Sequence, residues 1–204
     1  MKVLILTNPE FVDFVVLSAI EYSVEHYFLI KSFGEYDWSE DYDVGISFMY
    51  QYRVPKEQLD GHVWYNFHPG PLPEYKGRNL CYHALANGER RFGATFHYMN
   101  EKFDDGEIIQ VSDFAIPKHW CAEELSLWTL RDAGSLFVKH LPRILEGEEF
   151  PTTENKNGHY YHKEPINEFL TISKTLENEI RAITYKDHYP KIDIGGTIFK
   201  VVRE

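Results

Sequence analysis

The chain has 204 residues, of which 43% are hydrophobic and 26% charged, and its formal net charge is −11. This length and balance are typical of a globular protein with one main core. The negative charge disfavours a nucleic-acid partner, because binding to a polyanion relies on clustered Lys and Arg side chains.

Hydropathy and cysteine content exclude further classes. No apolar run approaches the roughly 18 residues of a membrane span, so we expect a cytoplasmic protein with no membrane partner. The two cysteines, Cys81 and Cys121, are too few for a disulfide framework or a zinc site.

The first third of the chain alternates between buried strands and a helix. Residues 9–23 have apolar side chains at helical spacing, and Pro9 suits a first helical turn. An acidic stretch at 32–43 is expected to form a loop or short helix. Apolar runs predict four strands, at residues 2–7, 26–32, 44–50 and 62–67. This alternation predicts an α/β fold with a mainly parallel sheet flanked by helices.

The middle third combines helices with an antiparallel strand pair. A helix over 79–89 is expected to end at Asn87-Gly88, and a long helix over 121–146 contains Pro142, which should kink or interrupt it. Between the helices, residues 91–100 and 106–116 are expected to pair as antiparallel strands.

Beyond residue 147 the composition changes. Residues 147–165 are expected to be a linker, 166–184 one or two short helices, and 191–202 a hairpin turning at Gly195-Gly196. The predicted domains are therefore a main domain at 1–150 and a small C-terminal helix-plus-hairpin subdomain at 151–204. The hairpin could pair between subunits of a homodimer as readily as pack within one chain.

The turn after the first strand carries no phosphate-binding motif. A dinucleotide fingerprint would place Gly-x-Gly-x-x-Gly there, but the sequence is LTNPEFVDF. Walker A, Gly-x-Ser-x-Gly and His-Glu-x-x-His motifs are also absent from the sequence.

The segment NFHPGPLPEYKGRN, residues 66–79, is the strongest candidate for a catalytic site. Asn66 and His68 lie two residues apart at the end of a predicted strand, before a loop stiffened by three prolines. If Asp104 in the later hairpin turn reaches His68, the three side chains suit acyl transfer: a histidine acid or base, an orienting carboxylate and an amide donor to an oxyanion. On spacing alone, both segments could equally be structural loops.

Together these segments resemble the folate-dependent formyltransferase family. NFHPGPLPEYKGRN matches its Asn-x-His-x-x-x-Leu-Pro signature, and GATFHYMNEKFDDGEII matches its later Asp-x-Gly segment, with Asp104 rather than Asp105 as the aspartate. The resemblance implies a Rossmann-like core and formyl transfer from N10-formyltetrahydrofolate to an amine, without a metal. It implies that Asn66 and protonated His68 stabilise the oxyanion while Asp104 holds the histidine.

The resemblance also suggests binding residues on the matching stretches of this chain. The candidates for the folate are Met49, Tyr50, Tyr52, Arg53, Val54, His97, Met99, Asn100 and Phe103. The candidates for the acceptor are Lys76, Gly77, Arg78, Asn79 and Arg181.

Three branches of the family differ in their acceptor. Glycinamide ribonucleotide formyltransferases carry a phosphate loop where this chain has TNPEF, and methionyl-tRNA formyltransferases carry a larger basic C-terminal domain. The tail IRAITYKDHYPKIDIGGTIFKVV resembles enzymes that formylate nucleotide-linked (UDP- or dTDP-) amino-deoxysugars for surface glycans, and this acceptor is the prediction. Glycinamide ribonucleotide formyltransferase and formyltetrahydrofolate hydrolase are the alternatives.

Overall fold

A six-stranded sheet forms the centre of the computed structural model, which describes residues 1–32, 36, 38–162, 169–170, 176–185, 191–194 and 197–200. The strand order is β2-β1-β3-β4-β7-β8. The bounds are β1 Lys2–Thr7, β2 Tyr27–Ser32, β3 Val44–Phe48, β4 Val63–His68, β7 Thr95–Tyr98 and β8 Ile108–Val111.

The first four strands of this sheet are parallel, as the alternation of strands and helix predicted. β3 is buried along its whole length and β1 along all but its first residue, which explains their continuous apolar sequences. β2 lies at the edge and is partly exposed. The carboxyl ends of β1, β3 and β4 meet at one edge of the sheet.

The expected antiparallel pair is confirmed, but it is divided into two ladders. β7 pairs with β8, while β6 (Arg91–Phe92) pairs with β9 (Phe114–Ala115). Gly93 lies between the ladders, where an added Cβ would be 1.9 Å from the carbonyl oxygen of Ser112. This close backbone approach interrupts what the sequence pattern predicted as continuous strands.

Helices cover the two faces of the sheet. The predicted first helix is α1 (Val12–Ala19) with 3₁₀ turns at either end, and α2 (Lys56–Gly61) was not predicted. α3 (Leu80–Ala86) ends at Asn87 and is followed by Gly88 with φ 74°, as expected.

The long helix α4 (Ala122–Leu145) runs through Pro142, so the expected interruption was wrong. The last turn is held by burial, since Leu141, Ile144 and Leu145 belong to the main core beneath the sheet. That core is rich in aromatic rings, and Phe67 and Phe96 stack with their ring centroids 4.7 Å apart.

Part of the expected linker is built into the main domain. β10 (His159–Tyr161) pairs in parallel with β5 (Tyr75–Gly77), and Thr153 forms a two-hydrogen-bond bridge with Ile108. The sequence offered no strand pattern here, because these contacts are made by the backbone. The domain boundary at residue 150 stays a prediction.

The tail contains the expected helix and hairpin. α5 (Leu176–Ile183) packs against α3, and β12 (Lys191–Ile194) pairs with β13 (Thr197–Lys200). The helical prediction for 166–184 was wrong at β11 (Phe169–Leu170), because these residues pair with β12 as a parallel strand. The predicted Gly195-Gly196 turn and part of the acidic stretch 32–43 lie outside the described residues. Within the described part of the chain, no helix has both the length and the apolarity needed to cross a membrane.

Candidate active site

The candidate site lies at the carboxyl end of β4, where the parallel part of the sheet meets its antiparallel part. Asn66 and His68 are both on this strand, and His97 on β7 lies directly opposite Asn66 in the register. The carboxyl ends of parallel strands are a common position for ligand sites in α/β proteins.

Asp104 reaches this edge from the turn between β7 and β8. Its Oδ1 lies 3.2 Å from His68 Nδ1, and its Oδ2 accepts a hydrogen bond of 2.9 Å from the Gly77 N–H. Asp104 has φ 53°, in the left-handed region that non-glycine residues rarely adopt. Gly106 allows this tight turn, since a Cβ there would lie 1.9 Å from the Tyr98 carbonyl oxygen.

His68 lies between two hydrogen-bond acceptors. Its Nε2 is 2.7 Å from the carbonyl oxygen of Tyr75, and its Nδ1 faces the Asp104 carboxylate. An imidazole satisfies two acceptors only when both nitrogens carry protons. Burial disfavours that charge, but Asp104 and the Tyr75 carbonyl outweigh burial and raise the pKa of His68 above its ordinary 6.5.

The carboxylate of the pair is held ionised. Burial of Asp104 opposes ionisation, but the charge and hydrogen bond of His68, together with the Gly77 N–H, lower the pKa of Asp104 to about 2. Both pKa shifts favour an imidazolium–carboxylate pair, whose side chains are largely removed from solvent.

The pKa of His97 is shifted in the opposite direction to that of His68. Burial, opposed too weakly by Asp104, lowers the pKa of His97 to about 4, so the ring is neutral at physiological pH. Its Nδ1 donates to the Tyr98 carbonyl oxygen at 2.6 Å, which leaves Nε2 as an acceptor for the Asn66 amide at 3.0 Å. His97 thus fixes which way the Asn66 amide points.

Two cavities meet at this site. The larger has a volume of about 550 Å³ and lies between the sheet edge, α3, α4 and the residues after α5, whereas the smaller is a slot of about 60 Å³ beside β4 and β7. Four residues line both cavities: Tyr50, Asn66, Phe103 and Asp104.

The expected folate residues fall mainly on the slot. Met49 instead lines the larger cavity, together with the shared Tyr50 and Phe103. The other eight expected folate residues all line the slot, and they are Tyr50, Tyr52, Arg53, Val54, His97, Met99, Asn100 and Phe103. The guanidinium of Arg53 lies 5.1 Å from the centre of the Phe103 ring, which joins the two walls of the slot at its exposed rim.

The expected acceptor residues divide into two groups. Gly77, Arg78 and Asn79 line the larger cavity. Lys76 does not, because its side chain is buried and its Nζ lies 2.5 Å from Asp105 Oδ1. Arg181 is also turned away, since its guanidinium donates to the backbone carbonyls of Trp120 and Pro117.

Several cavity residues were not predicted from the sequence. Asn8 and Glu10 follow β1, and their position after a parallel strand could have indicated them. Tyr160 lies on β10, inside a stretch expected to be a linker, so no sequence signal pointed to it. Among the residues that the structure describes, no group of His, Cys, Asp and Glu side chains is arranged to hold a metal ion.

Solved structures with the same fold include several sugar N-formyltransferases. A 4-N formyltransferase from Francisella tularensis superposes with a TM-score of 0.80 at 18% identity, covering 100% of this chain and 97% of that chain. A sugar N-formyltransferase from Shewanella gives 0.80 at 18%, covering 98% and 96%. An N-formyltransferase from Helicobacter canadensis, in complex with folinic acid and dTDP-3-aminofucose, gives 0.76 at 19%, covering 98% and 86%.

A sequence relative covers a smaller part. Methionyl-tRNA formyltransferase from Coprothermobacter proteolyticus is 37% identical over 82 residues, which is 39% of this chain. The match takes up 27% of that relative, so it spans about a quarter of its length.

The family model described as "Formyl transferase" matches residues 50–154, just over half of the chain. That span contains Asn66, His68, His97 and Asp104, whose contacts with one another form the centre of the site. The chain therefore belongs to the formyl transferase family, a family of folate-dependent transferases, as its two sequence motifs predicted.

Proposed function

We propose that this protein is a cytoplasmic N-formyltransferase that moves a formyl group from N10-formyltetrahydrofolate to the amino group of a nucleotide-linked (UDP- or dTDP-) amino-deoxysugar, as a step in the synthesis of a surface glycan. The observation that carries the proposal is the position of Asn66 and Asp104, which line both cavities while Asp104 contacts His68. A transfer between two bound molecules needs a reactive centre that both can reach.

The two cavities suit two different substrates. The pterin ring would enter the slot between Tyr50 and Phe103, and the acceptor would occupy the larger cavity, whose volume lies in the usual range for ligand sites. The slot is smaller than that range, so the exposed ring of Phe103 or Tyr52 would move aside to admit the pterin.

The chemistry follows from the hydrogen bonds of the three side chains. The acceptor nitrogen attacks the formyl carbon, and a tetrahedral oxyanion forms between the Asn66 amide and the His68 imidazolium. For direct donation to that oxygen, the His68 Nε2–H would leave the Tyr75 carbonyl. The bond from carbon to N10 then breaks, and the proton lost by the amine is passed to N10 of tetrahydrofolate.

The two histidines have separate tasks in this scheme. His68 supplies positive charge next to the oxyanion, and Asp104 keeps that charge in place. Neutral His97 accepts one Asn66 amide hydrogen, so the other amide hydrogen is available to the formyl oxygen.

A nucleotide-linked amino sugar is supported by the relatives and by the shape of the cavity. The Helicobacter canadensis protein, which has the same fold, was crystallised with dTDP-3-aminofucose. In this chain the acceptor cavity presents the exposed guanidinium of Arg78 and the rings of Tyr82 and Tyr160. A guanidinium suits a diphosphate, and aromatic rings suit a nucleobase or the apolar face of a sugar.

The first turn after β1 argues against glycinamide ribonucleotide as the acceptor. Pro9 has no N–H, the Glu10 N–H is bonded to the Asn8 side chain, and the Phe11 N–H is bonded to the Asn8 carbonyl. The backbone donors that would hold a phosphate are therefore already used. The Glu10 carboxylate, which also lines the cavity, would repel one.

A turnover assay tests the proposal. The purified chain is incubated with N10-formyltetrahydrofolate and a panel of UDP- and dTDP-linked amino sugars, with glycinamide ribonucleotide and a no-acceptor reaction as controls. We expect tetrahydrofolate and a formamido sugar to form together. Tetrahydrofolate and formate formed without an acceptor would indicate a hydrolase instead, and turnover with glycinamide ribonucleotide alone would contradict the sugar assignment.

A further inference from the structure

The segment of residues 153–161 passes behind the site and contacts both loops that form it. At one end, Thr153 bridges Ile108 at the start of β8, and at the other, β10 pairs with β5. The Tyr161 carbonyl oxygen also accepts a hydrogen bond of 2.9 Å from the Arg78 N–H. The segment therefore joins the turn that carries Asp104 to the loop that carries Gly77 and Tyr75.

Asn155 makes the contact closest to Asp104. Its side-chain nitrogen donates to the carbonyl oxygen of Asp104 at 3.0 Å and to that of Gly106 at 2.8 Å. A side-chain amide nitrogen has two hydrogens, so both are used on this one turn. Asn155 is buried, and burial makes these bonds costly to lose.

Lys76 also contacts this turn. Its ammonium lies 2.5 Å from Asp105 Oδ1 and 3.4 Å from the backbone carbonyl oxygen of Asn155. The Lys76 side chain, which the sequence suggested for acceptor binding, therefore joins Asp105 of this turn to the backbone of Asn155.

We propose that Asn155 is a positioning residue that holds Asp104 against His68, with Lys76 and Asp105 as its support. The turn needs such a brace because Asp104 is in the left-handed region, which costs free energy unless surrounding contacts hold it there. Without Asn155, Asp104 can relax, and Oδ1 loses its 3.2 Å contact with His68 Nδ1. This inference rests on the proposed function only in naming Asp104 and His68 as catalytic groups.

The pKa of His68 reports on this role directly. The charged and titratable groups around the ring are Asp104, the His97 ring with its centroid 6.3 Å away, and Lys76 behind the turn. Asn155 is uncharged, so its replacement adds or removes no charge near His68. Loss of the Asp104 contact removes the main support of the imidazolium, and the pKa falls.

The test is a histidine NMR titration of the full chain with ¹³C-labelled imidazole rings, in which a His68→Gln sample assigns the His68 signal among the 10 histidines. In Asn155→Ala we expect the His68 pKa to fall by about one unit or more. The matched control is Lys156→Ala, which removes an exposed side chain from the adjacent position and should leave the His68 pKa unchanged.

Two further variants keep the test informative if Asn155→Ala does not fold. Asn155→Ser keeps only one donor on a shorter side chain, so it should still lower the His68 pKa measurably, although by less than alanine does. Asn155→Gln keeps both donors on a longer side chain and should lower the His68 pKa least. A folded Asn155→Ala or Asn155→Ser with the wild-type His68 pKa would overturn the proposal, as would an equal shift in Lys156→Ala. Because no substrate is used, failure of the formyl-transfer assay would sink the proposed function without altering this result.

Discussion

The proposed catalytic corner and the proposed acceptor side of the large cavity are built in different ways. In the corner, formed by Asn66, His68, His97 and Asp104, hydrogen bonds within the protein fix the orientation of each side chain. On the acceptor side, the side chains of Glu10, Arg78 and Tyr160 are exposed to solvent. The corner also lies wholly within the span matched by the family model, whereas Glu10 and Tyr160 lie outside it.

We infer from this contrast that the two regions have different functions. Groups held by internal hydrogen bonds are preorganised, which is the property that transition-state stabilisation requires. Exposed groups on separate elements can change without disturbing the chemistry, and they are suited to choosing the acceptor. Substitutions in the corner should therefore lower kcat, whereas substitutions on the acceptor side should mainly raise KM for the acceptor.

The largest expected effect is that of His68→Ala. Removal of the imidazolium should lower kcat for formyl transfer by about 10³-fold, since it deletes both a charge and a proton-transfer group. Steady-state kinetics measure this loss, and folate binding by calorimetry should be retained as the control. Wild-type turnover in a folded His68→Ala protein would end the assignment of this corner as catalytic.

Asp104→Asn should have the next largest effect, lowering kcat/KM by about 10²-fold. The amide keeps an oxygen for the Gly77 N–H but cannot hold the charge on His68, so the His68 pKa falls. A raised His68 pKa keeps the imidazolium present to higher pH, so the alkaline fall in kcat/KM should begin at lower pH in the variant. The pH profiles of the two proteins test this, and superimposable alkaline limbs would contradict it.

His97 should make the stability of the folded protein fall in acid. Its folded pKa of about 4 lies below the ordinary 6.5, so the unfolded chain binds the proton first as the pH falls. Stability should be lost between about pH 6.5 and 4, by up to about 3 kcal/mol from this group. Denaturant unfolding at several pH values should show a shallower decline in His97→Gln. The decline that remains is expected from His140, whose pKa is also lowered to about 4 by burial and nearby cations.

The smallest expected effect lies on the acceptor side. Arg78→Ala should raise KM for a nucleotide-linked acceptor by about tenfold and leave kcat within about twofold, because one exposed charge-assisted contact is lost. Arg90→Ala is the matched control, since Arg90 is exposed but does not line the cavity. A fall in kcat without a change in KM would indicate that Arg78 acts in the chemical step, as the corner residues do. It would contradict the proposed difference in function between the two regions.

Prediction from sequence succeeded where a local pattern carries the information. Apolar runs identified the parallel strands, and two motifs named Asn66, His68 and Asp104, which the structure brings to one end of β4. The catalytic roles of these three residues stay a prediction. Prediction failed for Lys76 and Arg181. A cation in the sequence does not reveal whether a carboxylate or carbonyl within the protein will take up its hydrogen bonds.

By itself, the sequence determined the family and the parallel core, and it named the candidate reactive side chains. Only the tertiary structure decided that His97 orients Asn66, that Asn155 braces Asp104 and that residues 159–161 form a strand behind the site. These contacts join residues separated by 31 to 84 positions. The Asn155 and β10 contacts depend on backbone carbonyls and N–H groups, which nearly every residue possesses and which therefore leave no signature in the sequence. The contact between Asn66 and His97 joins two side chains whose pairing is set by the register of β4 and β7.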